Sequence, residues 1–283
     1  MNHREGTFRG HGGLELYYQC WRPEGTPLAV LVLIHGFGEH SGRYMNVVNH
    51  LVPRGYAIWS FDHRGHGRSP GRRGFVRTWD EFREDIRLFL EMVRQQEGGL
   101  PVFLMGHSMG GLMVLEYALH HPEGLQGVIA SGPALAQVGV SPVLLKIAQL
   151  MSRIWPSFTM DTGLDATSIS RDPAVVAAYQ ADPLVHSKAS ARLGTEMARA
   201  MAWTHQNASR WRLPLLILHG GADRLVPPEG SRRFYEAVPI ADKEYREYEG
   251  GYHEPHNDIH RDQVLQNLER WLEAHLQGAR RHP

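Results

Sequence analysis

The segment Gly106-His107-Ser108-Met109-Gly110-Gly111 sets a serine between small residues at the spacing Gly-x-Ser-x-Gly. An apolar run, residues 102–105, precedes it, and a helix-like pattern opens near Met109. A serine on such a strand-to-helix turn is held in a strained backbone, with its hydroxyl exposed at a helix N-terminus. Glycines two before and two after leave room for the neighbouring chain. A hydroxyl by itself is a weak nucleophile and needs an adjacent base. Asp223, in LHGGADRLVPP, and His253, in YEGGYHEPH, follow Ser108 in the order serine, acid, histidine. In that arrangement His253 would take the Ser108 proton, while Asp223 would fix the imidazole tautomer and stabilise its charged form. The Met109 N–H would point at a developing oxyanion. A second donor is expected from His35-Gly36-Phe37-Gly38, and position selects the Phe37 N–H. The chemistry implied is acyl transfer through a covalent serine intermediate.

These residues need elements that hold them at one edge. Continuous apolar runs at 28–34, 56–61, 102–105, 127–130 and 215–218 are bounded by Gly, Pro or polar residues. Runs of that length fit strands buried on both faces of a parallel sheet. Helical patterns lie between them, at 79–96, 109–120, 231–237 and 262–276. The first carries Phe82, Ile86, Phe89, Leu90 and Val93 on one face. Strand–helix alternation predicts a mostly parallel, doubly wound α/β sheet. Ser108, Asp223 and His253 each follow a predicted strand, at the edge where such sheets gather ligands. Residues 14–21 alternate with period two and predict an antiparallel edge strand. Asp62-His63-Arg64-Gly65-His66-Gly67 reads as a tight structural turn beneath the site.

The stretch 133–210 breaks this rhythm. It contains no convincing buried strand, an apolar helical segment at 143–155 and Pro-punctuated pieces at Asp172-Pro173 and Asp182-Pro183. We divide the chain accordingly into a core of residues 1–132 and 211–283 and an inserted helical cap of residues 133–210. Segment 143–155 is apolar nearly all the way round, with Lys146 and Arg153 as its charges. Such a helix is either buried or rests on lipid, and burial is the expectation.

Composition narrows the function class. Lys plus Arg number 30, as do Asp plus Glu, so the chain lacks the basic footprint of a nucleic-acid binder. One cysteine, Cys20, allows neither an internal disulfide nor a thiolate zinc site. His253, His256 and His260 lack the carboxylate or cysteine pattern that would complete a metal cluster, so no metal is expected. With neither a Gly-x-Gly-x-x-Gly turn after a strand nor a phosphate loop, no cofactor is expected either. The N-terminus has no apolar signal segment, and no run approaches the roughly 18 apolar residues of a membrane span. A cytoplasmic location is the expectation. No pattern points to an oligomeric state.

Taken together, HGFGEHSGRY at 35–44, FDHRGHGRSPG at 61–71, GHSMGG at 106–111, GADRLVPPEG at 221–230 and YEGGYHEPH at 248–256 resemble the monoacylglycerol lipase family of α/β-hydrolases. The resemblance covers nearly the whole chain and is poorest in the cap. It implies the α/β-hydrolase fold and an enzyme that releases glycerol and a fatty acid from a monoacylglycerol. It also implies that Glu39, Arg43 and His256 organise the glycerol end. The acyl chain would run under the cap, with Leu144, Ile147, Met151 and Trp155 as candidate lining, and the cap would make transient contact with membranes or micelles. A lysophospholipase or broad carboxylesterase with the same three residues is the alternative enzyme reading. A hydrolase-fold module that only binds a ligand is the remaining one.

Overall fold

The structure, a computed structural model, describes residues 1–136 and 142–279. The chain opens with β1 (Asn2–Arg9), β2 (Glu15–Arg22), β3 (Ala29–Ile34), α1 (Met45–Leu51), β4 (Tyr56–Phe61), α2 (Trp79–Glu97), β5 (Val102–His107), α3 (Met109–His120) and β6 (Gly127–Ser131). Then come α4 (Pro142–Ile154), β7 (Thr159–Asp161), α5 (Pro173–Ala181), β8 (Lys188–Ser190) and α6 (Ala191–Asn207). The chain closes with β9 (Leu215–Gly220), α7 (Pro228–Ala237), β10 (Lys243–Tyr248) and α8 (Arg261–Ala279).

Eight strands form one sheet in the order β1-β2-β4-β3-β5-β6-β9-β10. The pairs from β4 to β10 are parallel, and β1–β2 and β2–β4 are antiparallel. The sequence pattern explains the layering. On β3, Val30, Val32 and Ile34 join an apolar cluster with α2 and α3, while Ala29, Leu31 and Leu33 join one with α1 and α8. On β5 and β9 the same alternation sends Leu104 and Ile217 one way and Phe103 and Leu216 the other. Residues on both faces are apolar because helices cover both, which is why these strands read as continuous runs. The fold is the α/β-hydrolase fold.

Two expectations are corrected. The segment at 14–21 is a strand, but it is not the edge, because β1 lies outside it. β1 escaped the pattern because only Phe8 of its eight residues is buried. The helix expected at 143–155 is present as α4, but it is not buried. Ile154 is 70% exposed and Trp155 54%, and Ile147 and Leu150 are also open. One side of α4 rests on α6, and nothing among the described residues covers the other.

Within residues 133–210, β7 and β8 pair antiparallel in a small separate sheet. Leu193 and Ala200 of α6 are buried in the cluster beneath α3. Short contacts tie this segment to the rest: His186 N donates to Gly38 O at 2.8 Å, and Ser190 N to Gly74 O at 2.8 Å. His40 Nε2 lies 2.8 Å from an Asp182 carboxylate oxygen.

Candidate active site

Ser108 links β5 to α3. Among the described residues it is the one non-glycine with positive φ, at φ 54° and ψ −118°. The neighbouring glycines make this turn possible. A Cβ on Gly106 would stand 2.2 Å from Gly110 O, and one on Gly110 would stand 2.2 Å from Ile34 O. Ser108 N donates to Ser131 O at 2.9 Å, and Ser108 O accepts from Leu112 N and Ala134 N. The backbone strain is thereby pinned on both sides.

The structure brings Ser108, His253 and Asp223 together. Ser108 Oγ is 2.9 Å from His253 Nε2, and His253 Nδ1 is 2.7 Å from Asp223 Oδ2. An ionised carboxylate only accepts, so Nδ1 carries the proton and Nε2 is left to accept from Ser108. Asp223 Oδ1 also accepts from Leu225 N and Val226 N, at 2.8 and 2.9 Å. Burial alone would lower the His253 pKa, but the charge and hydrogen bond of Asp223, with Glu254 and Glu39, raise it above its usual value. Burial works against the Asp223 carboxylate, yet His253 and His219 hold it well below the usual range. His219, 3.2 Å from Asp223, was not singled out in the sequence; its position directly after the apolar run 215–218 carried no distinguishing signal.

The loop after β3 passes close to the nucleophile: a Cβ on Gly36 would lie 3.2 Å from Ser108 Cβ. Phe37 and Met109 both line the cavity above Ser108. Their backbone N–H groups have no protein acceptor among the described residues, so both are free for a ligand oxygen. That cavity measures about 640 Å³. Ile169, Leu193, Met197, Leu225 and Val226 form apolar wall, and Glu39, Arg43 and Arg224 are polar groups on its lining.

Glu39 and Arg43 are deeply engaged with the protein. Glu39 Oε1 accepts from Gly36 N and from Tyr44 OH, each at 2.6 Å. Arg43 Nη1 donates to Glu39 Oε2 at 2.7 Å and to Glu254 Oε1 at 2.6 Å, and its Nη2 donates to Glu254 Oε2 at 3.0 Å. The guanidinium also lies 4.6 Å from the Tyr179 ring. Burial disfavours the Glu254 charge, but Arg43 outweighs it and keeps the carboxyl ionised. Glu254 had no part in the sequence reading. Its partner Arg43 stands 211 residues away, and local patterning cannot reveal such a pair.

His256 is corrected. It is buried, stacks on Tyr44 at 4.9 Å between centroids and does not line the cavity. Neither of its ring nitrogens has a partner among the described residues, and burial with the neighbouring His107 pushes its pKa down to about 3. The acyl-lining candidates are also displaced. Ile147 and Met151 line a second cavity, of about 820 Å³, between α4 and α6. It meets the first at Thr162, Ala189 and Gly194, so these side chains border its far side and not Ser108. Trp155 lines neither cavity, and the Leu144 side chain lies outside the described residues. The cause is the placement of α4, which packs on the outer side of α6. The 62–67 turn packs against the loop after β3: His63 N donates to His35 Nε2 at 3.0 Å, and Asp62 accepts from Ser41 N and Arg68 N, both at 2.8 Å. No cluster of metal-binding side chains occurs among the described residues.

The family model described as Serine aminopeptidase, S33 matches residues 25–260. A monoacylglycerol lipase of Mycolicibacterium smegmatis is 39% identical over 277 residues, covering 96% of this chain and 98% of the relative. Phospholipase YtpA of Bacillus subtilis is 30% identical over 259 residues, covering 90% and 99%. The crystal structure of a Paleococcus ferrophilus monoacylglycerol lipase superposes with a TM-score of 0.85 at 38% identity, covering 93% of this chain and all of that one. The chain belongs to the monoacylglycerol lipase family of serine hydrolases.

Proposed function

We propose that this enzyme hydrolyses the ester of monoacylglycerols to glycerol and a free fatty acid, with Ser108, His253 and Asp223 as the catalytic triad. The observation that carries the reading is the unbroken hydrogen-bond line from Asp223 through His253 to Ser108, in a largely apolar cavity whose lining also carries Glu39 and Arg43.

Ser108 Oγ attacks the ester carbonyl carbon as His253 Nε2 takes its proton. The carbonyl oxygen becomes an oxyanion held by the Phe37 and Met109 N–H groups. Collapse expels the glycerol oxygen, which receives the proton from His253 and leaves an acyl-Ser108 ester. Water then adds to that ester, again with His253 as base, and releases the fatty acid and Ser108. Asp223 stabilises the imidazolium in both halves. His107 and His256 have pKa values pushed down to about 3, so they stay neutral beside His253 and do not compete for its proton.

Glu39 and Arg43 line the cavity, and the glycerol hydroxyls lie against them in this reading. Each keeps hydrogen-bonding capacity beyond its protein partners. The acyl chain lies against Leu193, Met197 and Ile169. Incubation with mono-, di- and triacylglycerols of one acyl chain tests the proposal: fatty acid should come mainly from the monoacylglycerol. Equal release from all three would replace it with a general lipase.

One observation favours a second substrate class. Arg224 lines the same cavity, on which Asp165 also stands, and packs over Tyr252 at 5.2 Å. A guanidinium so placed suits a phosphate, which would admit lysophospholipids. Arg224→Gln should then lower kcat/KM on a lysophospholipid and leave monoacylglycerol turnover unchanged.

The cap also carries Ile147, Leu150, Ile154, Trp155 and Met160 exposed. No helix among the described residues is long and apolar enough to cross a membrane. We therefore infer peripheral contact of this face with lipid. Ile154→Ser combined with Trp155→Ser should reduce co-sedimentation with phosphatidylcholine vesicles; unchanged binding would remove the inference.

A further inference from the structure

Glu254 performs no step of the chemistry above, yet it is 2% exposed and adjoins His253 in sequence. Its two oxygens grip Arg43 as a fork. Arg43 in turn holds Glu39, and Glu39 Oε1 accepts the Gly36 N–H at 2.6 Å. Gly36 precedes Phe37, whose N–H faces the oxyanion. The line of contacts therefore runs from the loop that carries the base to the loop that carries an oxyanion donor. Glu39 and Glu254 are buried, Arg43 is partly buried, and each carboxylate accepts one further side-chain donor: Tyr44 OH on Glu39, and Asn257 Nδ2 on Glu254 at 2.8 Å. Asn257 is held by Asn46 of α1 at 2.9 Å.

Buried ion pairs contribute little net stability, because desolvation offsets their attraction. Fully partnered, they fix geometry. Ester hydrolysis needs that here. The loops after β3 and after β10 come from opposite ends of the chain, and between them in the sheet stand β5, β6 and β9. No backbone ladder joins them among the described residues. The Glu254–Arg43–Glu39 line bridges the gap.

The geometry points to Glu254 as a positioning residue that, through Arg43 and Glu39, sets the Gly36–Phe37 backbone against Ser108 in register with His253. This rests on the triad reading. It predicts an effect on every ester, including those without a glycerol group.

The test compares wild type, Glu254→Gln, Glu39→Gln and the double variant on a monoacylglycerol and on a p-nitrophenyl ester. Rates are counted per site titrated with a fluorophosphonate, so loss of folded protein does not enter. Each single variant should lose about 100-fold in kcat on both esters, the order that a roughly 1 Å misplacement produces. KM on the p-nitrophenyl ester should stay within about two-fold, and the double variant should be little worse than the poorer single. Multiplying losses in the double variant, or losses confined to the monoacylglycerol, would overturn the inference. If Glu254→Gln does not fold, Glu39→Gln must still give the kcat loss on the p-nitrophenyl ester, and normal turnover there would refute the line. Failure of the triad reading is distinct: wild type itself would then neither titrate nor turn over.

Discussion

Replacing Asp223 by Asn separates the chemistry of the carboxylate from its architecture. Asp223 Oδ1 accepts the Leu225 and Val226 N–H groups, and an asparagine carbonyl can do the same. That leaves the amide NH2 facing His253 Nδ1, 2.7 Å away in the parent. A donor there requires Nδ1 to accept, which moves the ring proton to Nε2. Nε2 then faces Ser108 Oγ as a donor and cannot take its proton. The fold survives while the tautomer is wrong. In another triad hydrolase the corresponding change costs about ten-thousand-fold in kcat. At 1.36 kcal/mol per decade that is about 5.4 kcal/mol of transition-state stabilisation. The pH profile gives a second readout. Burial lowers the His253 pKa, but Asp223 is foremost among the groups that raise it above the ordinary value. His253 must be neutral to act as base, so parent activity rises with pH through a midpoint above about 6.5. In the variant the residual activity should reach its plateau at lower pH. The assay is kcat/KM on a soluble p-nitrophenyl ester from pH 5 to 9, with a thermal melt to establish folding. A folded Asp223→Asn protein within tenfold of the parent, or one with an unmoved acid limb, would refute this account of His253.

Other outcomes follow from single positions. Ser108→Ala and Ser108→Gly should both fail to label with a fluorophosphonate. The glycine variant should melt higher, because φ 54° strains alanine by about 1–3 kcal/mol and suits glycine; equal melts would mean the turn holds no strain. Gly110→Ala puts a Cβ 2.2 Å from Ile34 O and 2.4 Å from His35 O, both backbone atoms. Overpacking of about 1–3 kcal/mol should appear as a lowered melting temperature with sharply reduced activity. Met197→Trp, on the apolar wall, should shift preference toward shorter acyl chains in a C4–C16 monoacylglycerol series. Asp223 also bears on acid stability. Its folded pKa is depressed, so the stability it contributes is present above about pH 4 and lost as pH falls through the folded value. The parent's melting temperature should drop more steeply below pH 4 than that of Asp223→Asn.

Much of this molecule is legible in one dimension. The central strands announce themselves because a parallel strand covered on both faces must be apolar at every position, as Leu31, Val32 and Leu33 are. The turn around Ser108 is equally local: its glycines are required because a Cβ on Gly106 or Gly110 would fall 2.2 Å from a backbone carbonyl oxygen, and the spacing is set by the strand–turn–helix geometry itself. The order of Ser108, Asp223 and His253 after their strands therefore identified the residues that meet. The tertiary structure decided what depends on partners distant in sequence. β1 has a single buried residue, and only its hydrogen bonds to β2 make it a strand. An apolar helix such as α4 reads the same whether buried or exposed, and its place on the outer side of α6 settled the matter. Glu254, Arg43 and Glu39 look like three ordinary charges until residues 211 positions apart are brought to 2.6 Å. Hydrophobic patterning and turn chemistry act over a few residues, so the sequence carries them openly; a buried ion pair or a cavity wall is a property of which surfaces meet, and only the folded chain specifies that.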